Sequence, residues 1–346
     1  MPLRGKAAVM QKEALLYKKV EDNKISCYLC SHHCLVSDGK FGICNVRENR
    51  GGTLYTHSYG KLVAQNIDPI EKKPLYHFLP GSNSFSIAAA GCNFQCGFCQ
   101  NWQISQIKEA QTLDLRSQEV KPEEVVKQAK RSGSRSISYT YTEPTIFFEY
   151  ALDVGQLARG EGIYNVFVTN GFMTEEMIRL AQPWLDSANI DLKSFNDDYY
   201  RRLCKGRLAP VLKSIELMRS LKIWVEVTTL VVPGENDSEG EFKEIAAFLA
   251  STDPAIPWHI SRFYPQYQME GSESTPIKTM NRAYEIGKKA GLRYVYLGNV
   301  MGEGSNTYCH HCNQLLVERI GYTIRKQRIE GGKCFHCQSP IDGVGI

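Results

Sequence analysis

The feature that most constrains this fold is a repeated alternation of short apolar runs with amphipathic segments between residues 84 and 299. The apolar runs are six to nine residues long, the length of buried parallel strands. Seven runs are therefore predicted as strands: 84–91, 136–141, 165–171, 187–193, 224–232, 257–263 and 293–299. Helical patterns separate them, with Pro122 and Pro144 near helix starts, Thr174 as an N-cap, and Gly133 and Gly291 as stops. This alternation predicts an α/β fold with a parallel sheet, open or closed as a barrel.

Residues suited to chemistry follow the predicted strands. In parallel α/β folds the working groups lie at the carboxyl ends of strands, on the loops that follow. Here those positions hold Cys92 to Cys99 after the first strand, Glu143 after the second, Thr169 and Asn170 at the third, Asp191 and Lys193 at the fourth, and His259 within or near the end of the sixth. We expect all of them to project toward one mouth of the sheet.

The cellular compartment decides how the cysteines are interpreted. The opening residues carry charges throughout without an apolar signal core, and no window approaches the ~18 apolar residues of a membrane span, which predicts a cytoplasmic protein. A net charge of +4, from 41 basic and 37 acidic side chains, gives no extended basic field, so nucleic acid is not an expected partner. Disulfides are rare in a reducing compartment, and clustered thiols there more often bind metals.

The twelve cysteines fall into three groups and a singleton. The groups are Cys27, Cys30, Cys34 and Cys44; Cys92, Cys96 and Cys99; and Cys309, Cys312, Cys334 and Cys337; Cys204 stands alone. Cubane iron–sulfur clusters normally take four cysteine thiolates, so the group of three would leave one iron open, as a catalytic site requires. The alternatives for this group are a zinc site completed by a distant ligand, or buried thiols.

The middle group carries a resemblance to a known family. Its spacing Cys-x3-Cys-x-aromatic-Cys, with Phe98 as the aromatic residue, resembles the signature of the radical S-adenosylmethionine (SAM) enzymes. The resemblance implies a [4Fe-4S] cluster on Cys92, Cys96 and Cys99, whose open iron is chelated by SAM. A reductant such as flavodoxin or ferredoxin would supply the electron that cleaves SAM to a 5'-deoxyadenosyl radical, which removes hydrogen from a substrate.

Further motifs resemble the pyruvate formate-lyase activating enzymes. The stretch "YTEPT" (141–145) sits where these activases carry Gly-Gly-Glu-Pro, which implies that Glu143 accepts hydrogen bonds from the SAM ammonium group. Tyr141 and Thr142 occupy the two glycine positions. "VTNGF" (168–172) is similar to the activase Asp-Thr-Asn-Gly element, with Val168 in place of aspartate, and places Thr169 and Asn170 among the SAM-binding residues.

Two more elements extend this resemblance. "IDLK" (190–193) is similar to the activase Asp-x-Lys element, which implies that Lys193 pairs with the SAM carboxylate and that Asp191 could hold a monovalent cation. His259 in "WHISRFYP" matches an activase histidine near SAM. Taken alone, each of these residues would be an ordinary rim or core residue, and their joint placement at strand ends favours the site.

A narrower resemblance concerns the stretch before the cysteine loop. "NIDPIEKKPLYHFLPGS" (66–82), with the loop and the flanking four-cysteine groups, resembles the radical SAM component of the AmmeMemoRadiSam systems. This implies an activase-like oxidoreductase that acts on a protein or peptide, by glycyl-radical installation or by modification together with Memo-like and Amme-domain partners. The same chemistry on a small molecule or RNA is an alternative. A non-catalytic iron–sulfur and zinc scaffold or redox sensor is another, although such a scaffold has no use for Glu143 and Lys193.

The outer cysteine groups predict further metal sites. The N-terminal four, within 18 residues, indicate one site for structural zinc or an auxiliary iron–sulfur cluster, and spacing does not decide between them. The C-terminal Cys-x2-Cys pairs, separated by 21 residues with a predicted hairpin, are typical of a zinc ribbon, with Arg319 and Arg325 expected on a solvated strand face. Cys204 is interpreted as a small buried side chain.

Together these patterns predict a radical SAM partial (β/α)6 barrel with cysteine-rich metal-binding modules at both ends. The predicted division is an N-terminal four-cysteine region at 1–75, the barrel at 76–300 and a zinc-ribbon-like module at 301–346.

Overall fold

A computed structural model describes residues 12–107, 117–300 and 302–346. The first eleven residues, which open the segment used to predict a chain without a signal peptide, lie outside the described residues. None of the helices described here has the length and apolar character needed to cross a bilayer.

A nine-stranded sheet forms the centre of the molecule. Seven of its strands are parallel and follow one another in chain order, and we number them first to seventh: Asn83–Ala89, Ser136–Tyr139, Tyr164–Thr169, Ser187–Asp191, Trp224–Val231, Trp258–Arg262 and Val295–Gly298. Each coincides with a predicted strand to within about two residues, so the predicted α/β fold is confirmed. Beyond the first strand, Lys61–Pro69 and Gln118–Glu119 add antiparallel strands that the sequence patterns did not indicate.

Helices connect the parallel strands. In the described parts of the chain the α-helices are Trp102–Ser105, Pro122–Arg131, Phe148–Gly160, Glu175–Ala181, Asp197–Tyr199, Leu208–Ser220, Glu239–Thr252 and Ile277–Lys289. The 3-10 turns are Ile70–Lys72, Pro144–Phe147, Tyr267–Met269 and Glu303–Ser305, and Tyr200–Cys204 is a π turn. The predicted cap is present, since Thr174 Oγ1 accepts a hydrogen bond from Met177 N at 3.4 Å. Helices therefore begin and end where local capping chemistry indicated.

The helix Phe148–Gly160 packs closely against the buried side chain of Trp184. Trp184 is buried and lies against the rings of Tyr139 and Phe167, at centroid distances of 5.9 and 5.6 Å. A Cβ atom at Gly155 would lie 2.2 Å from the Trp184 ring, so only glycine lets the helix Phe148–Gly160 seat against this side chain.

The N-terminal region contains two small three-stranded sheets. Their strands are Lys12–Glu13, Arg47–Arg50 and Thr53–Thr56 in one, and Tyr17–Lys19, Ile25–Cys27 and Leu35–Val36 in the other. This region docks on the loop after the third parallel strand, where Thr174 Oγ1 donates to Tyr28 O at 2.8 Å. The strand Lys61–Pro69, which the predicted division places in the N-terminal region, belongs to the central sheet.

The C-terminal region forms a separate small β module. Its strands are Thr307–Tyr308, Leu315–Ile320 and Thr323–Gln327 in one antiparallel sheet, with Ile329–Glu330 and Lys333–Cys334 as a second hairpin. Arg319, expected on a solvated face, is instead buried: its guanidinium donates to Tyr76 O at 3.0 Å. Arg325 is exposed as expected. The module is thereby fastened to the amino end of the barrel, where Phe78 also pairs with Val344.

Candidate functional site

The three thiols of the middle group lie on one loop that leaves the first parallel strand. These are Cys92, Cys96 and Cys99. The backbone of the π turn holds this loop, since Gln95 N donates to Cys204 O at 3.0 Å and Gly97 N donates to Leu203 O at 3.2 Å. The loop is thus attached to the segment after the fourth strand as well as to the first.

The thiols are largely screened from solvent. Burial raises the pKa of Cys92 and of Cys99, so their thiolates need a cation to persist at neutral pH. Cys96 differs, because its contact with the Cys204 thiol lowers its pKa despite burial. Three shielded sulfurs on one short loop fit the three corners of an iron–sulfur cubane.

Glu143 is the most strongly held side chain beside this loop. Its Oε1 accepts hydrogen bonds from Thr145 N at 3.1 Å, Thr145 Oγ1 at 2.6 Å and Thr169 Oγ1 at 2.8 Å, and its Oε2 accepts from Asn170 N at 2.8 Å. The side chain is 1% exposed, and burial raises the pKa of its carboxyl. A carboxylate offers about four lone-pair sites, two on each oxygen, so Oε2 retains capacity for one further donor.

Asn170 joins Glu143 to the cysteine loop. Its Nδ2 donates to Asn93 Oδ1 at 2.7 Å and lies 3.8 Å from Cys92 Sγ. The turn depends on Gly171, which has φ +70° and where a Cβ would lie 2.8 Å from the Ile190 side chain. The structure therefore brings Asn170 against the first cysteine and Thr169 against Glu143.

Lys193 and Asp191 lie on the other side of the cysteine loop. Lys193 Nζ lies 2.9 Å from Asp191 Oδ2 and 5.8 Å from the centre of the Phe98 ring. Burial works against the charge of Lys193, but the charges of Asp191 and Cys96 outweigh it and hold its pKa well above the usual value. A permanent cation is thus held beside the cysteine loop at the end of the fourth strand.

Tyr141 and Thr142, at the two glycine positions of the activase motif, form hydrogen bonds with neighbouring segments. Thr142 Oγ1 donates to Ala89 O at 2.7 Å, and Tyr141 O accepts from Asn101 Nδ2 at 2.8 Å. The Tyr141 hydroxyl donates to Asp68. Side chains at 141 and 142 therefore tie the Glu143 loop to its neighbours, where the activase pattern has none.

His259 is not brought to this group. It is the second residue of the sixth strand, and its Nε2 lies 2.6 Å from Glu226 Oε2. Its ring packs against Tyr76 and Tyr296 at 4.7 and 5.1 Å. These contacts place it at the amino end of the sheet, and its assignment to the SAM site stays a prediction.

Sequence patterns missed several residues that complete the site. Thr145 supplies two of the bonds to Glu143, and its place two residues after a helix-starting Glu is the signal that could have identified it. Asn93 carried no signal, because its role depends on a contact between segments distant in sequence. Cys204 is buried, as the sequence predicted, but its contact with Cys96 was not foreseen for the same reason.

The outer cysteine groups differ in geometry. The C-terminal sulfurs all lie within 4.8 Å of one another, with Cys309 and Cys337 at 3.6 Å and Cys312 and Cys334 at 3.7 Å. Four sulfurs this close can bind one metal ion. The N-terminal four line a single cavity.

Comparisons with known proteins extend these observations. Residues 86–249 match the family described as the Radical SAM superfamily. An uncharacterized protein of Methanocaldococcus jannaschii is 43% identical over 337 residues, which are 96% of this chain and 99% of that protein. A probable GTP 3',8-cyclase of Thermococcus kodakarensis is 27% identical over 66% of this chain and 79% of its own length. A radical SAM methyltransferase from Sphaerobacter thermophilus shares the fold, with a TM-score of 0.51 and 17% identity, covering 69% of this chain and 71% of that chain.

Proposed function

Since residues 86–249 of this chain form a domain of the Radical SAM superfamily, we propose that the protein is an activase-like oxidoreductase acting on a protein or peptide substrate. When bound, a [4Fe-4S] cluster and SAM supply a 5'-deoxyadenosyl radical by reductive cleavage, and this radical abstracts hydrogen from the substrate.

One observation carries this proposal. A continuous set of contacts links the Glu143 carboxylate through Asn170 to Cys92, at the carboxyl ends of the first three parallel strands. A purely structural metal site would not need a buried carboxylate with an oxygen still able to accept a bond.

The residues at this edge fit the groups that SAM presents. Cys92, Cys96 and Cys99 would hold the cluster, and Glu143 Oε2 would accept a hydrogen bond from the ammonium group. Lys193, kept protonated by Asp191, would pair with the SAM carboxylate, with Phe98 lying beside it. Each of these side chains is positioned before a ligand arrives, which lowers the entropic cost of binding.

The chain also restricts water at this edge. Glu143, Thr145, Thr169 and Cys96 are all buried. A reactive carbon radical takes hydrogen from any nearby donor, so exclusion of solvent and fixed orientation are the main contributions expected of the protein.

The substrate and partners rest on the motif resemblance. The stretch at 66–82 supports Memo-like and Amme-domain proteins as partners, with a flavodoxin or ferredoxin as electron donor. A protein substrate modified in their company, or a glycyl-radical enzyme, would then receive the abstraction step.

A small-molecule substrate is a second candidate. It is favoured by the similarity to the probable GTP 3',8-cyclase, whose name describes action on a nucleotide. The two candidates differ in whether SAM turnover responds to a protein partner or to a small molecule.

The proposal is tested by anaerobic reconstitution of iron, reduction with dithionite, addition of SAM, and measurement of 5'-deoxyadenosine by mass spectrometry. We expect formation that disappears in Cys96→Ala and accelerates with the partner that presents the substrate. Deuterium transfer from that partner into 5'-deoxyadenosine would locate the hydrogen. An intact cubane that yields no 5'-deoxyadenosine would contradict the enzyme and favour the scaffold.

A further inference from the structure

The N-terminal cysteines differ from the C-terminal ones in how far apart their sulfurs lie. All four line one cavity: Cys27, Cys30, Cys34 and Cys44. Within the described residues, only the C-terminal group brings its metal-binding atoms within 4.8 Å of one another.

This difference separates the two kinds of metal site. In a tetrahedral zinc site with Zn–S bonds of about 2.3 Å, geometry places the sulfurs about 3.8 Å apart. An iron–sulfur cluster distributes its thiolates over several irons, which spreads the sulfurs around inorganic sulfide. The C-terminal distances of 3.6 and 3.7 Å match zinc, whereas the N-terminal sulfurs surround a wider space.

Gly42 shows how this space is kept. A Cβ at Gly42 would lie 3.7 Å from Cys34 Sγ and 3.9 Å from Cys44 Sγ, so both sulfurs lie close to this glycine. A glycine here leaves the space beside these two thiols free of a side chain.

A buried cation faces the cavity. Arg47 is 2% exposed and lines the cavity, with its Nη1 donating to Cys27 Sγ at 3.2 Å. It is paired with the buried Glu149, yet its Nε has no hydrogen-bond partner. An unpartnered buried donor is costly, and thiolate or sulfide sulfur in the cavity would accept its hydrogen bond.

The cavity adjoins the cysteine loop of the candidate active site. His32 Nε2 lies 2.7 Å from Asn93 O, one residue after Cys92. A Cβ at Gly91, one residue before it, would lie 3.4 Å from Cys44 O. The lining of the cavity also includes Thr145, which donates a hydrogen bond to Glu143.

We propose that Cys27, Cys30, Cys34 and Cys44 bind a second iron–sulfur cluster, which neighbours the cluster of the Cys92–Cys99 loop. The C-terminal four bind zinc. The assignment concerns a site other than the SAM-binding loop, so it stands or fails separately from SAM cleavage.

The test uses the full-length chain with Cys92→Ala, Cys96→Ala and Cys99→Ala, which removes the loop site. After anaerobic reconstitution we expect iron and sulfide in equal amounts, about two or four of each per chain, together with about one zinc. Adding Cys27→Ala and Cys30→Ala should remove the iron and sulfide and leave the zinc. No iron with about two zinc ions per chain in the first variant would overturn the assignment.

A second comparison keeps the test decisive if the triple variant folds poorly. The variant Cys27→Ala/Cys30→Ala, which retains the loop site, should hold about four irons, fewer than the unmodified chain. Equal iron in both chains would contradict a second cluster.

The proposed proximity of the two clusters is tested by electron paramagnetic resonance. In the dithionite-reduced unmodified chain, magnetic coupling between neighbouring clusters should broaden or split the electron paramagnetic resonance signal. If that signal equals the sum of the signals from the two single-cluster variants, the clusters are not neighbours and that part of the proposal is wrong.

Discussion

The two ends of the barrel place a buried glutamate in different surroundings. At the mouth, formed by the carboxyl ends of the strands, Glu143 is held by hydroxyl and backbone donors, and Asn170 connects it to Cys92. At the base, formed by the amino ends, Glu226 accepts from Tyr76 N at 3.0 Å and His77 N at 2.8 Å, and meets His259 at 2.6 Å.

This difference indicates that the mouth is suited to binding and that the base has a structural role. Base charges are matched by opposite charges from other segments, as where Arg319 of the C-terminal module lies 3.8 Å from Glu71 Oε1, both side chains being fully buried. At the mouth, Glu143 keeps an acceptor site and Lys193 lies beside cysteine thiols. Substitutions should therefore affect stability at the base and chemistry at the mouth.

The largest effect is expected at the base. Arg319→Met leaves Glu71 buried without its cation and removes the bond to Tyr76 O, so the free energy of unfolding should fall by about 3–5 kcal/mol. Denaturant unfolding of the reconstituted chain measures this. The exposed Arg325→Met is the matched control and should stay within about 0.5 kcal/mol. A loss in Arg319→Met no larger than in the control would contradict a structural base.

At the mouth, Glu143→Gln should lower kcat/KM for SAM cleavage by about 100-fold, because a neutral amide cannot match a carboxylate as partner for an ammonium group. Quantification of 5'-deoxyadenosine at equal iron content gives the measurement. The exposed Glu161→Gln serves as control. An unchanged rate in Glu143→Gln would remove this carboxylate from the site.

His259→Gln decides between the predicted SAM role and the base contacts. We expect a loss of about 1–3 kcal/mol of stability, because Glu226 loses its buried partner, and SAM cleavage within about 3-fold of the unmodified chain. Thermal unfolding and 5'-deoxyadenosine formation are measured on the same preparations. A fall in cleavage of more than about tenfold at unchanged stability would instead support the SAM role.

The smallest effect concerns pH. Burial lowers the pKa of His77 from 6.5 to about 4, so the folded chain resists a proton that the unfolded chain binds. This stabilisation is fully present above about pH 6.5 and is lost as pH falls through about 4. In His77→Gln, the decline of unfolding free energy between these values should be shallower than in the unmodified chain or in the control His57→Gln. Parallel curves for all three would contradict a buried neutral His77.

Local sequence patterns predicted most of the fold, because its strands and helix ends leave recognisable patterns in short stretches of sequence. The seven parallel strands are buried, so they appear as apolar runs, and Thr174 caps its helix through a bond to a residue three positions away. The strand Lys61–Pro69 was missed, since its exposed and half-buried residues break the apolar pattern. The prediction for Arg319 was wrong because a charged residue on a short strand is expected to face solvent. Its burial depends on Glu71, a partner that is distant in sequence.

The sequence by itself determined the positions of the seven parallel strands and the three-thiol loop, and it indicated Glu143, Asp191 and Lys193 as companions of that loop, because spacing, residue type and short motifs are local properties. The order of the strands in the sheet came from the structure. Only the tertiary structure decided that Asn170 bridges Glu143 to Cys92, that Cys204 lies against Cys96, and that His259 pairs with Glu226 at the other end of the barrel. It also distinguished the two four-cysteine groups, since the distance between sulfurs depends on how the loops fold and not on the number of residues between cysteines. Contacts between distant segments are set by packing of the whole sheet, which no short stretch encodes.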